Sequence, residues 1–255
     1  ELGVSLTNIG RNAFANNKLV KVVLSPNVSK IGEGAFRFNQ INSLLLNEKV
    51  ATIELGAFAN NQISSVALPN TLTELGDSAF YSNKLVSVII PSSITKINKS
   101  TFDYNSLSSI TLPSSLKEIG SEAFRNNLLT SINLPQDLQV LGISAFSNNL
   151  LTSLTIPDDI TSVEARAFSG NKLSSLSLGV NVRSIGGMSF SNNQLTSIDW
   201  PPNLTTISSN AFYNNQLSSL ALPQNLSSIG ERAFEKNQLS SISIASNVTI
   251  DNYAF

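Results

Sequence analysis

The stretch Leu217-Ser-Ser-Leu220-Ala-Leu222-Pro-Gln-Asn-Leu226-Ser-Ser-Ile229-Gly230-Glu-Arg-Ala233-Phe234-Glu-Lys-Asn237 decides the fold, because its pattern recurs every 22 residues along the chain. An internal repeat of this length indicates a solenoid of stacked coils. Phe marks the period most clearly, and Asn follows three positions later. The series is Phe14, Phe36, Phe58, Phe80, Phe102, Phe124, Phe146, Phe168, Phe190, Phe212 and Phe234, with Phe255 one residue early.

Each repeat divides into three pieces. Leu220-Ala-Leu222 alternates large apolar and small residues, which predicts a strand with one buried face, and Pro223 then ends that strand. A second extended piece ends at Ile229-Gly230, where Gly permits a corner with positive φ. Ala233-Phe234 has no β-branched run beside it, so we predict a single turn of α or 3-10 helix there.

Stacking of the coils is required because one coil cannot bury its own apolar face. Neighbouring coils are expected about 4.8 Å apart, the spacing of strands in a sheet. The buried set of each coil should be its Phe, the preceding Ala and five aliphatic side chains. The Asn row should also point inward, and a buried amide is costly without hydrogen bonds. We therefore predict that each Asn bonds backbone groups of its own coil or the next.

Composition and charge restrict the partners. The formal net charge is −1 and the Lys and Arg residues are scattered, so we expect no nucleic acid as a partner. Apolar residues never form the roughly 18-residue run of a membrane helix, so we expect no membrane insertion. The unbroken period predicts one domain over residues 1–255 with about eleven and a half coils. A start without Met or a hydrophobic leader leads us to interpret the chain as a fragment of a longer protein.

The sequence lacks the residues of common catalytic sites. With no His and no Cys, it has neither the usual general base nor a thiolate ligand, and no Gly-rich phosphate loop occurs. We therefore predict a protein that is not an enzyme and uses no cofactor. Asp137, Asp158 and Asp159 lie at turn positions, where a weak Ca²⁺ site could form. A solvated turn is the favoured interpretation, because a recognisable oxygen-rich loop is missing.

Strand side chains that point away from the core are the candidate ligand contacts, because the buried rows are explained by stacking. One outward row begins with Val23, Leu45, Ala67 and Ile89 and then becomes polar. Val20 and Val86 extend its apolar part from the neighbouring row, and contiguous exposed apolar area often marks an interaction site. The tentative ligand-binding residues are Val20, Val23, Leu45, Ala67, Val86, Ile89, Thr111, Asn133 and Asp199.

The repeat Leu-x-x-Leu-x-Leu-Pro-x-x-Leu-x-x-Ile-Gly-x-x-Ala-Phe-x-x-Asn-x-Leu resembles the BspA-like class of bacterial leucine-rich repeats over essentially the whole chain. The resemblance implies a right-handed solenoid, mainly β with short helical or 3-10 turns, and one parallel strand ladder on its concave face. It also implies a secreted or cell-surface bacterial protein that attaches to host matrix proteins, other bacteria or glycans. The class offers no catalytic residues to transfer.

Three functional hypotheses remain open from the sequence. The leading one is a non-catalytic extracellular adhesion or binding module whose strand face binds a protein or a glycan. An alternative is a structural spacer, or a targeting domain for another part of the same protein. A third, suggested by the regular Ser and Thr rows, is binding of a repetitive surface such as crystalline glycan or ice. The sequence leaves the oligomeric state open.

Overall fold

A computed structural model describes residues 3–255 of the chain and divides them into two compact units. The N-terminal unit extends to Leu129, and the C-terminal unit covers Thr130–Phe255. Each unit is a stack of coils joined by parallel strand pairing, as the 22-residue period predicts. The prediction of one domain over residues 1–255 stays a prediction.

The N-terminal unit contains two kinds of strand. Three-residue strands are β2 (Lys21–Val23), β4 (Ser43–Leu45), β7 (Ser87–Ile89) and β9 (Ser109–Thr111). Two-residue strands are β1 (Asn8–Ile9), β3 (Lys30–Ile31), β5 (Thr52–Ile53), β6 (Glu74–Leu75), β8 (Lys96–Ile97) and β10 (Glu118–Ile119). Equivalent residues of successive coils pair in parallel, as in Val22↔Leu44 and Ile31↔Ile53.

The C-terminal unit repeats this organisation. Its three-residue strands are β12 (Ser153–Thr155), β14 (Ser175–Ser177), β17 (Ser219–Ala221) and β19 (Ser241–Ser243). Its two-residue strands are β11 (Val140–Leu141), β13 (Ser162–Val163), β15 (Ser184–Ile185), β16 (Thr206–Ile207), β18 (Ser228–Ile229) and β20 (Thr249–Ile250). The last pairing joins Ser228 to Thr249, so the short final repeat is accommodated within the ladder.

Two parallel ladders follow each stack, so the expectation of one ladder is incomplete. The short strands form the longer sheets, β1-β3-β5-β6 in the N-terminal unit and β13-β15-β16-β18-β20 in the C-terminal unit. The three-residue strands pair only two at a time, as β2-β4, β7-β9, β12-β14 and β17-β19. The second extended piece of the repeat is therefore the more regular part of the stack.

The predicted helical turn around each Phe is wrong, because residues 3–255 contain no helix. In the coil around Phe36, Gly34 and Phe38 both have positive φ, at 59° and 54°. These left-handed residues limit any run of right-handed backbone to the three residues between them, too few for a helix. The amide of Phe36 instead donates to Ala57 in the next coil at 2.8 Å. We call the segment from one left-handed residue to the other the Phe turn.

Stacked Phe rings form the centre of the core in each unit. Ring centroids of neighbouring coils lie 5.1 Å apart for Phe14–Phe36 and 5.7 Å apart for Phe146–Phe168, with nearly parallel planes. Offset stacking at this distance contributes about 0.5–1.5 kcal/mol per pair beyond area burial. Trp200 is half-buried and packs edge-on against Phe212, with ring centroids 5.4 Å apart.

The Asn row satisfies the backbone between coils, as predicted. The Asn61 Nδ2 donates to the carbonyls of Phe36 and Phe58 at 2.9 and 3.0 Å. Its Oδ1 accepts from the Ile41 amide at 3.1 Å. One side chain therefore links its own coil to the preceding coil, and Asn39 makes the equivalent contacts one coil earlier.

Candidate binding surface

The alternation of strand residues separates a buried row from exposed rows. In β7, Val88 is buried at 3 % exposure while Ser87 and Ile89 face solvent. The same exposed-buried-exposed order occurs in β2, β12, β14 and β17. The side chains between the two inward aliphatics are therefore free of core packing, which is the arrangement that the sequence predicts.

The aliphatic set, which we define as Val20, Val23, Leu45, Ala67, Val86 and Ile89, has five large members, and each of these five is close to half exposed or more. Leu45 is 59 % exposed and Ile89 is 71 % exposed, with Val20, Val23 and Val86 close to one half. Val23 and Leu45 pair directly across β2 and β4, and Ile89 pairs with Thr111 across β7 and β9. Ala67 is exposed but lies outside any regular strand.

The two remaining candidate residues lie in the C-terminal unit. Asn133 and Asp199 are both exposed, and Asp199 forms an isolated parallel bridge with Ser177. The outward row of this unit also contains Thr155, Ala221 and Ser243, all exposed. Its surface is therefore polar and rich in hydroxyls, whereas the outward row of the N-terminal unit begins with aliphatic side chains.

Some of the outward hydroxyls also contact the backbone of the preceding coil. Ser174 Oγ donates to the Thr152 carbonyl at 3.3 Å, and Ser240 Oγ donates to the Ser218 carbonyl at 3.2 Å. Such bonds explain part of the Ser and Thr content by stacking alone. The aliphatic set has no polar atom with which to make such a contact.

An acidic cavity of about 430 Å³ in the N-terminal unit was not anticipated from the sequence. It is lined by Glu33, Glu54, Leu55, Glu74, Gly76, Asp77 and Asn98. Lys30 Nζ approaches Glu54 Oε1 at 2.6 Å. This hydrogen bond lowers the pKa of Glu54 and raises the pKa of Lys30. The available sequence signal was the acidic residue that directly follows some of the Gly corners, as in Gly32-Glu33 and Gly76-Asp77.

A more apolar cavity of about 690 Å³ lies at the first described coils. Its lining includes Phe14, Leu19, Val22, Leu24 and Phe36. These side chains belong to the core rows of the repeat and not to its outward rows.

The described residues contain neither a metal-binding cluster nor a membrane-spanning helix. Among residues 3–255, no group of three or more His, Cys, Asp or Glu side chains is arranged to hold a metal ion. The Asp158 Oδ1 accepts from the Val180 amide at 3.0 Å, which is a turn contact between neighbouring coils. The described part of the chain likewise contains no helix that is long and apolar enough to cross a membrane.

The family model for the BspA type leucine rich repeat region matches six copies that together extend over the chain, in residues 1–85, 40–151, 73–181 and 139–255. The chain belongs to the BspA-type leucine-rich repeat family. The family resemblance seen in the Leu, Ile-Gly, Ala-Phe and Asn positions is therefore confirmed. No curated protein sequence matches the chain.

Solved structures of other bacterial proteins have a similar fold. YopM from Yersinia enterocolitica is 25% identical with a TM-score of 0.64, and the match covers 98% of this chain and 51% of YopM. The pneumococcal vaccine antigen PcpA is 23% identical with a TM-score of 0.70, covering 98% and 72%. A leucine-rich repeat protein from Bacteroides ovatus is 18% identical with a TM-score of 0.50, covering 96% and 78%. The chain thus spans about half the length of the YopM structure.

Proposed function

We propose that this BspA-type chain is a non-catalytic extracellular binding module that attaches to a protein or a glycan through the outward rows of its three-residue strands. Leucine-rich repeat stacks generally act as binding scaffolds, which supports the general mode of action. Family membership supports a location at the surface of, or outside, a bacterial cell. The absence of a catalytic role is part of the same proposal.

The observation that carries the proposal is the exposure of the aliphatic set. Leu45 and Ile89 expose 59 % and 71 % of their surface. Both lie on the outward side of their strands, β4 and β7, where no other part of the coil covers them. Fully burying one such side chain against a partner contributes about 1.5–3 kcal/mol. The inward rows already stabilise the stack, so the side chains of the aliphatic set are not needed for folding. Their identity can therefore serve the binding of a partner.

A second candidate function is supported by the C-terminal unit. Its outward rows present Ser and Thr hydroxyls at the repeat distance of a parallel ladder, for example Ser153↔Ser175 and Ser219↔Ser241. A regular hydroxyl array suits a ligand with its own repeat, such as a crystalline glycan or ice. Insoluble polysaccharide and ice-recrystallisation assays on the whole chain would detect this activity.

The main experiment measures binding of the whole chain to an immobilised panel of extracellular matrix proteins and to a glycan array. The test variant combines Val23→Ser, Leu45→Ser and Ile89→Ser. The matched control combines Val140→Ser, Ile143→Ser and Val180→Ser, three aliphatic side chains that are about half exposed and lie outside the three-residue strands.

The proposal expects at least one panel member to bind the wild type and the control, and to lose about tenfold or more in affinity for the test variant. Equal binding by all three chains would remove the aliphatic set from the proposal. If the wild-type chain binds no panel member, the spacer hypothesis is favoured.

A further inference from the structure

The Phe turns carry a second set of exposed side chains that stacking does not explain. The second left-handed residue of the turn is Asn in six coils, at Asn16, Asn60, Asn126, Asn148, Asn192 and Asn214. Asn tolerates positive φ better than most residues, so these positions follow the backbone requirement. Phe38 and Tyr104 occupy the same position with φ of 54°. Bulky aromatic residues are unfavourable in this conformation.

Burial of the rings does not compensate for the backbone strain at Phe38 and Tyr104. Phe38 is 50 % exposed and Tyr104 is 51 % exposed. Each ring is instead covered by the Arg of an adjacent position or coil, with Arg37 Cζ 5.8 Å from the Phe38 centroid and Arg125 Cζ 5.7 Å from that of Tyr104. Exposed residues in costly backbone conformations point to a function other than stability.

The two Arg residues differ in their charge partners. Arg125 bonds Asp103 at 2.6 Å and Glu122 at 3.2 Å, so its charge is neutralised within the turn. Within residues 3–255, Arg37 has no carboxylate at salt-bridge distance, and its buried Nε has no hydrogen-bond partner. Arg37 is partly exposed, so the carboxylate of a ligand can pair with its guanidinium charge, although not through the buried Nε.

The turn surface of the coil next to Arg37 carries only short side chains. The next coil presents only the buried Ala59 and the short Asn60 at the two equivalent positions. Tyr81 projects from the coil after that, and its ring contacts Tyr104 edge-on at 5.8 Å. We name this feature, formed by Arg37, Phe38, Ala59, Asn60 and Tyr81, the turn notch. Its two walls stand two coil spacings apart, about 10 Å.

We propose that the turn notch binds an acidic polypeptide segment, with Arg37 as the counter-ion of an Asp or Glu side chain and Phe38 and Tyr81 as apolar walls. Arg and aromatic residues are the types enriched at energetically important positions of protein interfaces. One uncompensated cation fits a single carboxylate and not a polyanion. This surface is separate from the outward strand rows, so it does not depend on the proposed function.

The test selects a displayed library of random peptides on the whole wild-type chain, then measures the affinity of the enriched peptides by fluorescence polarisation. The test variants are Arg37→Gln and Phe38→Asn, because Asn is the residue that most coils already place at this left-handed position. The matched control is Lys236→Asn, which removes the cation over Tyr213 at an equivalent left-handed position of the C-terminal unit. Circular dichroism verifies that each variant is folded.

We expect enrichment of peptides with Asp or Glu next to an apolar residue, about tenfold weaker binding by both test variants, and unchanged binding by the control. The Val23→Ser, Leu45→Ser and Ile89→Ser variant should bind these peptides as the wild type does. Peptides without acidic enrichment, or equal binding by the test variants, would overturn the proposal. Binding of acidic glycans in place of peptides, on an array carrying uronic and sialic acids, would also overturn it.

Discussion

Single residues in this repeat serve either the backbone of the coil or the solvent face, and the Asn row is the clearest case of the first kind. A typical Phe carbonyl accepts from the Asn of its own coil and from the Asn of the next coil, as the Phe58 carbonyl does from Asn61 and Asn83. The Ile63 amide depends on a side-chain oxygen alone, that of Asn83. The amide acceptor is therefore the more critical half of the Asn side chain.

Asn61→Ala should lower the free energy of unfolding by about 1–3 kcal/mol, because the Ile41 amide is left buried without an acceptor. Asn42→Ala, at an exposed position one residue beyond Ile41, is the control and should change stability by about 0.5 kcal/mol or less. Equilibrium denaturation in urea measures both. Equal effects of the two substitutions would show that the Asn row does not stabilise the corner.

Phe36 and Phe38 lie two residues apart, but substitutions at the two positions should change stability by very different amounts. Phe36→Ala removes a fully buried ring and should cost about 3–5 kcal/mol. Phe38→Asn loses a half-exposed ring and its Arg contact but relieves about 1–2 kcal/mol of left-handed strain, so the net change should stay within about 1 kcal/mol. Thermal and urea unfolding provide the comparison. A loss from Phe38→Asn as large as that from Phe36→Ala would contradict the assigned strain.

At the scale of the element, the sequence predicts the strands well and the Phe turn badly, for a physical reason. A row of aliphatics with period two has one burial solution, so Leu44 and Val88 could be placed in strands from sequence. The turn depends on which amides bond the next coil, a property of two coils together. Gly34, Gly56 and Asn60 were the available signal, because all three tolerate positive φ.

The expected positive φ at the Ile-Gly corners is wrong, because the positive-φ glycines of residues 3–255 are Gly34, Gly56 and Gly170. The corner glycines are instead explained by the close approach of neighbouring coils. A Cβ on Gly76 would lie 2.6 Å from the Glu54 carbonyl carbon and the Leu55 amide nitrogen, both backbone atoms that cannot rotate away. Gly76→Ala should therefore cost about 1–3 kcal/mol in unfolding free energy. Gly10→Ala is the matched control, since nothing lies within 4 Å of its added Cβ. If both substitutions were neutral by calorimetry, the coils would be packed more loosely than described.

The Asp103 turn predicts a pH dependence. Burial raises the pKa of Asp103 even though Arg125 and Asn126 hydrogen-bond its carboxylate. Because the folded state then holds the proton more tightly than the unfolded state, stability should fall as pH rises from about 3.9 through the folded-state pKa. The Asp103→Asn variant has no titratable carboxyl group at this position, so its stability does not contain this pH-dependent contribution. The stability advantage of the wild type over Asp103→Asn should therefore shrink across that window in urea titrations, and a growing advantage would contradict the assignment.

For the molecule as a whole, recognition and folding depend on different rows of the same coil. The inward rows are almost the same in both units, whereas the outward row is aliphatic at Val23, Leu45 and Ile89 and polar at Thr155 and Ser177. Exposure of the candidate residues could be predicted from the strand period. The acidic cavity and the turn notch could not, because both depend on side chains from three or more coils meeting at a turn.

Val88 and Ile89 provide the most direct test of this division, since they are neighbours in β7 with exposures of 3 % and 71 %. Urea unfolding of Val88→Ser and Ile89→Ser, combined with binding to the protein and glycan panel, separates the two roles. Val88→Ser should cost about 2–4 kcal/mol, whereas Ile89→Ser should cost less than about 1 kcal/mol and weaken panel binding. Equal losses of stability from both substitutions, with panel binding unchanged by Ile89→Ser, would contradict the division between buried and binding rows.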